Sequence, residues 1–379
     1  MAKTGIEKTL GEINKKFGAG SIVRASEAKA LVVKRVSTGS FAVDVEMGGG
    51  YPVGRIITIA GQYSASKTTF AIHGVKQFLL AFPHKDAAWI AIEEFDLDWA
   101  KNILTDEELE RLVIVRPQTA EAALDIADVL IRSGEVSVVV VDSLAAIVPT
   151  AEVEGSIEDW TMGLAARLNG KFFRKANSGL AQGDLTDDSD LPCTVIVLNQ
   201  LRDTMDKYKP ETMPGGRAQG FFSSVILWLR IGERFKVKDE ESKKEMVYAQ
   251  EVKFKTEKNK TFAPFRQGTY DLYVDKNTKG IPIGHFDRLK EVATYAIYWG
   301  VIKRKGPWYY IGTDMKIQGG EALVAALRDN DELRERIESE TMAIATSGKS
   351  KKEVTTHETA EGNQMEVDEE SGEILSETP

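Results

Sequence analysis

The chain has 379 residues, 42% hydrophobic and 28% charged, which suffices for two to three domains and excludes fibrous, wholly disordered and small disulfide-rich classes. Its single cysteine, Cys193, lies in an apolar run, so an intrachain disulfide or multi-cysteine zinc site is impossible and a reducing, cytoplasmic setting is expected. The net charge is −9, but from Lys349 onward nine acids face three lysines, so about −6 of it lies in that final stretch and the body is nearly neutral.

The first residues, MAKTGIEKTL, lack a signal peptide's apolar core, and no run approaches the roughly 18 apolar residues of a spanning helix, so no membrane partner is expected. Ile6, Leu10, Ile13 and Phe17 form a stripe that predicts a short amphipathic helix ended by Gly18 and Gly20, most simply folded onto its own chain. From Arg55 to about Val225 the strand-like runs RIITIA, AAWIAIE, LVIVR, VSVVVVD and TVIVLN alternate with helical patterns such as Thr119 to Ser133. Apolar strands alternating with amphipathic helices imply an α/β core built on a mostly parallel sheet. VILWLRI and MVYAQEVKFKTEK then predict an antiparallel extension of that sheet. A smaller α+β segment follows, with Trp299, Trp308, Tyr309 and Tyr310 as core candidates. The last stretch, about 343–379, is polar and poor in aromatics, and is expected to be disordered.

RIITIA runs into GQYSASKTTF, and a helical pattern starts at Thr68. Strand, glycine-containing loop, Lys-Thr and helix form the context of a phosphate-binding loop, in which backbone N–H groups and a helix N-terminus face the phosphates. Lys67 adds a charge and the Thr68 hydroxyl a magnesium ligand. Serine replaces the usual glycine at position 66, a substitution that costs strain of about 1 kcal/mol or shifts the loop. Alone, this degraded motif also fits a surface lysine after an ordinary turn. Two buried strands end in acids nearby in the pattern: VSVVVVD in Asp142, suited to hold the magnesium shell, and WIAIEE in Glu93, suited to orient an attacking water, with Glu94 able to exchange roles. Acids after strands also serve as helix caps.

Many ordered strings, among them INKKFGAGSIVR, VSTGSFAVDVEMGGGYPVGRI, VVVVDSLAAIVPTAEVEG, TMGLAARL, VLNQLR, ETMPGGRA, KNKTFAPFRQ and GPWYYIG, resemble the bacterial and phage RecA-type recombinases from about Gly11 to Ala326. The resemblance implies a RecA-like P-loop ATPase core at 36–270, preceded by an oligomerisation helix and strand at 1–35. A small C-terminal domain at 271–342 and an acidic tail at 343–379 would follow. It also implies a homo-oligomeric helical filament on single-stranded DNA that pairs with homologous double-stranded DNA and exchanges strands, with ATP and Mg²⁺ at the subunit seam. The stripe Ile6, Leu10, Ile13, Phe17 would dock on the next protomer, and Phe221 would lie in that contact.

The same resemblance assigns Gly61, Ser64, Ala65, Ser66, Lys67, Thr68, Thr69, Asp142 and Ser143 to phosphates and metal, with Thr68 and Asp142 as the metal ligands. It makes Glu93 the catalytic carboxylate and Gln200 the γ-phosphate sensor. Asp96 and Trp99 would hold adenine, and Lys258 and Lys260 would reach ATP from the neighbouring protomer. DNA would be met by two loops: Glu154 to Gly163, carrying Met162 and followed by Arg167 and Arg174, and Leu201 to Arg217, carrying Arg202, Met205, Gly215, Gly216 and Arg217. Departures are the acidic insert within Asn177 to Asp190, Gly220 where lysine is expected, and Arg217 where asparagine is expected. Competing readings are a ring-forming RecA-fold helicase and a non-hydrolysing DNA coat.

Overall fold

Side-chain caps set the starts of several helices. In this computed structural model, residues 5–17, 22, 33–154, 163–180, 191–204, 211–238, 244–347, 365–367 and 374–377 are described. Helix α1 (Gly5–Phe17) is followed by β1 (Arg35–Val36), α2 (Phe41–Met47) and β2 (Tyr51–Pro52). Ser40 caps α2 by accepting from Val43 N, and left-handed Gly48 (φ 82°) ends it. The central part runs β3 (Ile56–Gly61), α3 (Lys67–Ala81), β4 (Asp86–Ala91), α4 (Leu97–Ala100), α5 (Asp106–Glu110), β5 (Leu112–Val115), α6 (Ala120–Arg132), β6 (Val136–Asp142), α7 (Thr150–Glu154), α8 (Leu164–Leu180) and β7 (Thr194–Gln200). Thr105 and Glu108 form a reciprocal capping box on α5, and Thr119 caps α6. Next come β8 (Arg202–Asp203), β9 (Glu211–Thr212), α9 (Ala218–Phe222), β10 (Val225–Lys238), β11 (Glu245–Asn259) and β12 (Gln267–Tyr273).

The main sheet has eight strands in the order β12-β11-β10-β3-β7-β6-β4-β5. Strands β10, β3, β7, β6, β4 and β5 are parallel, while β11 and β12 extend the sheet antiparallel, as the long runs after Phe221 predict. Both faces are covered. Val138 and Val140 of β6 join a cluster with Phe70, Val75 and Phe78 of α3, whereas Val139 and Val141 join one with Ala123, Ala127, Phe172 and Phe173 of α6 and α8. That two-sided burial is why the parallel strands read as unbroken Val/Ile runs. It also brings the C-terminal ends of β3, β4, β6 and β7 to one lip, since Gly61 is level with Gln200 and Ala91 with Asp142.

The remainder is α10 (Arg288–Tyr298), the meander β13 (Ile302–Lys305), β14 (Trp308–Ile311) and β15 (Met315–Gln318), then α11 (Gly320–Asp329) and α12 (Asp331–Thr346). Its buried residues Tyr295, Trp299, Tyr309, Leu323 and Ile337 belong to the same cluster as Phe41 and Tyr270. Of the four aromatic core candidates, Trp299 and Tyr309 are buried. Trp308 and Tyr310 lie on the other face of β14, half-buried, with the Lys316 ammonium 4.1 and 5.5 Å from their rings. Two parts of the expected disordered tail are structured. Residues 343–346 continue α12 and bury Ala345, and β16 (Met365–Val367) pairs antiparallel with β17 (Ile374–Glu377). The first follows from an unbroken helical stripe, Leu333, Ile337, Thr341 and Ala345, that crosses the expected boundary.

Candidate nucleotide and DNA site

The phosphate loop joins β3 to α3. Gly61 is required by close approach, because a Cβ there would lie 2.7 Å from the Leu229 carbonyl oxygen of β10. Ser64 and Ser66 both adopt left-handed backbone, φ 59° and 60°. Ala65 is buried and its N–H donates to the Gln62 carbonyl at 3.2 Å, closing the turn. Lys67 Nζ donates to the Gly61 and Gln62 carbonyls at 3.2 and 2.9 Å. Partial burial lowers its pKa, against the opposing pull of Glu93 and Asp142.

Asp142 is buried at the end of β6 and accepts from the Thr68 hydroxyl at 3.2 Å. Burial above all, and then the charge of Glu93, push its carboxyl up to about 7, with the Thr68 bond and Lys67 acting the other way. Backbone N–H groups of Ile92 and Glu93 donate to the Asp142 carbonyl at 2.7 and 2.9 Å, fixing the segment after β4 against β6. Glu93 accepts from the Ser143 hydroxyl and from Gln200 Nε2, the latter at 3.3 Å. Of the two glutamates that the sequence left interchangeable, Glu93 is the one tied to the neighbouring strand ends.

Among the described residues no group of three or more His, Cys, Asp or Glu side chains forms a metal cage. The Asp142 carboxylate and Thr68 hydroxyl are a hard-oxygen pair beside excess negative charge. They fit a small cation that keeps several waters and shares phosphate oxygens.

Asp96 Oδ1 caps α4 by accepting from Trp99 N at 3.0 Å, and the half-buried Trp99 donates its Nε1–H to Thr69 Oγ1 at 3.0 Å. Lys258 and Lys260 lie elsewhere. Lys258 Nζ donates to the Gly220 and Phe221 carbonyls at 2.5 and 3.2 Å, and Lys260 Nζ to Phe221 at 3.2 Å. Burial and the neighbouring Lys260 lower the Lys258 pKa. This end of β11 is level with the start of β3, since Asn259 pairs with Val225 and Val225 with Ile57. Four residues of strand, about 13 Å, separate that level from Gly61.

Arg167 and Arg174 are both exposed on α8, seven residues apart, and Lys171 between them is exposed as well. Arg202 starts the short pair β8–β9, opposite Thr212. Gly215 and Gly216 have φ of 91° and 88°, and Cβ atoms there would meet Asn169 and Ala166 of α8, so both glycines are needed. Arg217 is exposed. Met162 and Met205 lie outside the described residues, as does most of the acidic insert.

Sequence reasoning missed the side chains that hold these loops. Asn199 Nδ2 donates to Gln219 Oε1 at 2.8 Å and to the Pro214 carbonyl at 3.0 Å, while Gln219 Nε2 donates to Pro214 at 2.6 Å. An asparagine inside TVIVLNQ was the available signal, because a buried amide needs partners. Glu211 is buried, paired with Arg230, and accepts from Gln62 Nε2 at 3.2 Å, so it joins the second loop to the phosphate loop. Gln250 of β11 touches both left-handed serines. Nothing in local sequence pointed to either.

A family model described as the RecA N-terminal domain matches residues 4–280. The chain is 34% identical over 377 residues to Protein RecA of Trichodesmium erythraeum, covering 98% of this chain and 96% of that one. It is 35% identical to Protein RecA of Arthrospira platensis over 90% of this chain and 88% of that one. The corresponding protein of Mycoplasmopsis pulmonis is 35% identical, over 88% and 91%. With the P-loop, the acid-ended strands and the six-strand parallel core in place, this nucleotide-binding chain belongs to the RecA family of DNA recombinases.

Proposed function

We propose that the chain acts as an ATP-dependent DNA recombinase in the cytoplasm: it polymerises on single-stranded DNA, pairs it with homologous duplex and exchanges strands in recombinational repair. The observation that supports this reading is the separation of the phosphate-loop groups from the lysine pair within one copy of the chain. Lys67, Thr68, Glu93, Asp142, Ser143 and Gln200 converge on the lip of the sheet. Lys258 and Lys260 lie toward the opposite end of their own sheet, bonded to the Gly220 and Phe221 carbonyls. A lysine pair that distant serves a neighbour's nucleotide more readily than its own.

Helix α1 supports the same assembly, since none of its residues is buried and Ile6 and Phe17 are 54% and 66% exposed. Phe221, 72% exposed beside the lysine pair, offers a further apolar contact for a second copy.

Thr68 and Asp142 would hold Mg²⁺, which when bound neutralises phosphate charge. Backbone N–H groups of the loop and the first turn of α3 receive the phosphate chain, and Lys67 leaves its two carbonyl partners for it. Trp99, whose Nε1–H donates to Thr69 in the first turn of α3, and Asp96 would hold the base. Glu93, with Ser143 and Gln200 donating to it, orients the attacking water and accepts its proton. Gln200 begins the loop that runs to Gly215 and Gly216. Exchanging its Glu93 bond for a phosphate oxygen would therefore report nucleotide occupancy to the DNA loops. Arg167, Arg174, Arg202 and Arg217 supply phosphate contacts, and Met162 and Met205 the apolar wedges between bases. Among the described residues no helix is long and apolar enough to cross a membrane.

Mixing two inactive variants tests the shared site. Lys67→Ala keeps its lysine pair, and Lys258→Ala/Lys260→Ala keeps its phosphate loop, so hydrolysis of ATP on single-stranded DNA should reappear on mixing. Persisting inactivity of the mixture, with each variant folded, would exclude action between protomers. Loss of hydrolysis in Glu93→Gln with retained nucleotide binding is the accompanying control.

A further inference from the structure

We propose that Gln250 is a positioning residue that holds the phosphate loop open, and that this chain needs it because residue 66 is serine. The proposal deepens the nucleotide-site reading above and rests on it.

Serine before a helix ordinarily takes extended backbone and turns its hydroxyl onto the amides of the first turn. This chain does so elsewhere: Ser40, Thr105 and Thr119 have φ of −96°, −75° and −135°, and each accepts from an amide of the helix it begins. Ser66 does not. It sits at φ 60°, ψ 26°, and its side chain caps nothing in α3. Instead its hydroxyl accepts from Gln250 Nε2 at 2.6 Å. The same amide group reaches the carbonyl of Ser64, the other left-handed serine, at 3.4 Å. Gln250 is buried, and β11 fixes it between Arg234 of β10 and Leu272 of β12.

The amides of the first helical turn have no carbonyl of their own helix to bond, and they are the donors that a phosphate requires. Glycine at position 66 would take the left-handed conformation freely and has no hydroxyl to offer those amides. Serine is strained there and carries a competing acceptor. Released from Gln250, Ser66 would relax to extended backbone and cap Thr68 and Thr69, so that the chain occupies its own anion site. Gln250 removes that competitor.

The test compares the full-length wild type with Gln250→Leu, Gln250→Asn, Ser66→Gly and the double variant Gln250→Leu/Ser66→Gly. Asparagine keeps the amide but is one methylene too short, and it stands in if the leucine variant does not fold. Two quantities are read: deuterium exchange of residues 61–72 in nucleotide-free protein, and affinity for a fluorescent ADP analogue. Gln250→Leu should slow exchange at Thr68 and Thr69 and weaken the analogue about tenfold, the size of one lost hydrogen bond. Adding Ser66→Gly should reverse both effects.

An equal loss of affinity from Gln250→Leu with serine or glycine at position 66 overturns the proposal, as does unchanged exchange in Gln250→Leu. A wild type that binds no ADP analogue refutes the nucleotide reading, while the exchange rates of the nucleotide-free chains still decide whether Gln250 restrains Ser66.

Discussion

Arg217 stands where the family resemblance leads one to expect asparagine. It is exposed directly after Gly215 and Gly216, whose positive φ angles turn the backbone at the exit of the second loop. If the second loop meets DNA as proposed, a guanidinium on that edge would add one phosphate contact to a site where nucleic-acid backbone charge dominates binding to single strands. Replacing Arg217 with alanine should make the salt dependence of single-strand affinity shallower by about 0.7 in log–log slope. An unchanged slope across a salt titration would place Arg217 off the DNA path. His73 is a different case, a titratable group that the chemistry does not use. It is 4% exposed in α3, its Nε2–H donates to the Gly284 carbonyl at 2.7 Å, and its ring packs against His285 and Phe286. Burial is the main force that holds its pKa down at about 4. The folded chain thus favours neutral imidazole, so this contribution is complete above about pH 6.5 and fades as pH falls toward 4. By pH 5 the loss is about 2 kcal/mol. The stability advantage of wild type over His73→Gln, read from urea midpoints, should narrow by that amount between pH 7.5 and pH 5, and a constant gap would contradict it.

At the scale of elements, the site depends on short connections pinned by buried amides. The bonds of Asn199 and Gln219 to Pro214 tie the end of β7, the exit of the second loop and α9 into one unit. Gln219→Leu would strip Asn199 of one acceptor and Pro214 of one donor in a dry setting. The expected cost is about 1–3 kcal/mol in urea unfolding, with weaker single-strand binding as the loop exit loosens. Wild-type stability in that variant would show the network to be dispensable. The sequence made β3, β4, β6 and β7 legible as elements through their uninterrupted apolar runs, and α6 through the spacing of its apolar residues. It did not foretell that Glu211 and Gln62 meet, because they are 149 positions apart and each reads locally as an ordinary polar residue.

For the whole molecule, the question is how much of the structure one copy completes alone. The central sheet and the C-terminal segment share one apolar cluster, whereas α1 contributes no buried residue to it. Removing residues 1–17 should leave the thermal midpoint nearly unchanged yet abolish filaments in negative-stain images with single-stranded DNA and a non-hydrolysable ATP analogue. Filaments formed by the truncated chain would relocate the assembly contact. By itself the sequence determined the α/β class, the phosphate loop and the acids at the strand ends, because hydrophobic period and strand-loop-helix motifs are encoded in neighbouring residues. Only the tertiary structure decided that Glu93 rather than Glu94 meets Ser143 and Gln200, that Lys258 and Lys260 lie away from their own phosphate loop, and that Gln250 donates to the Ser66 hydroxyl. Those outcomes depend on strand order and register in the sheet, which bring distant segments together through long-range pairing that local sequence does not express.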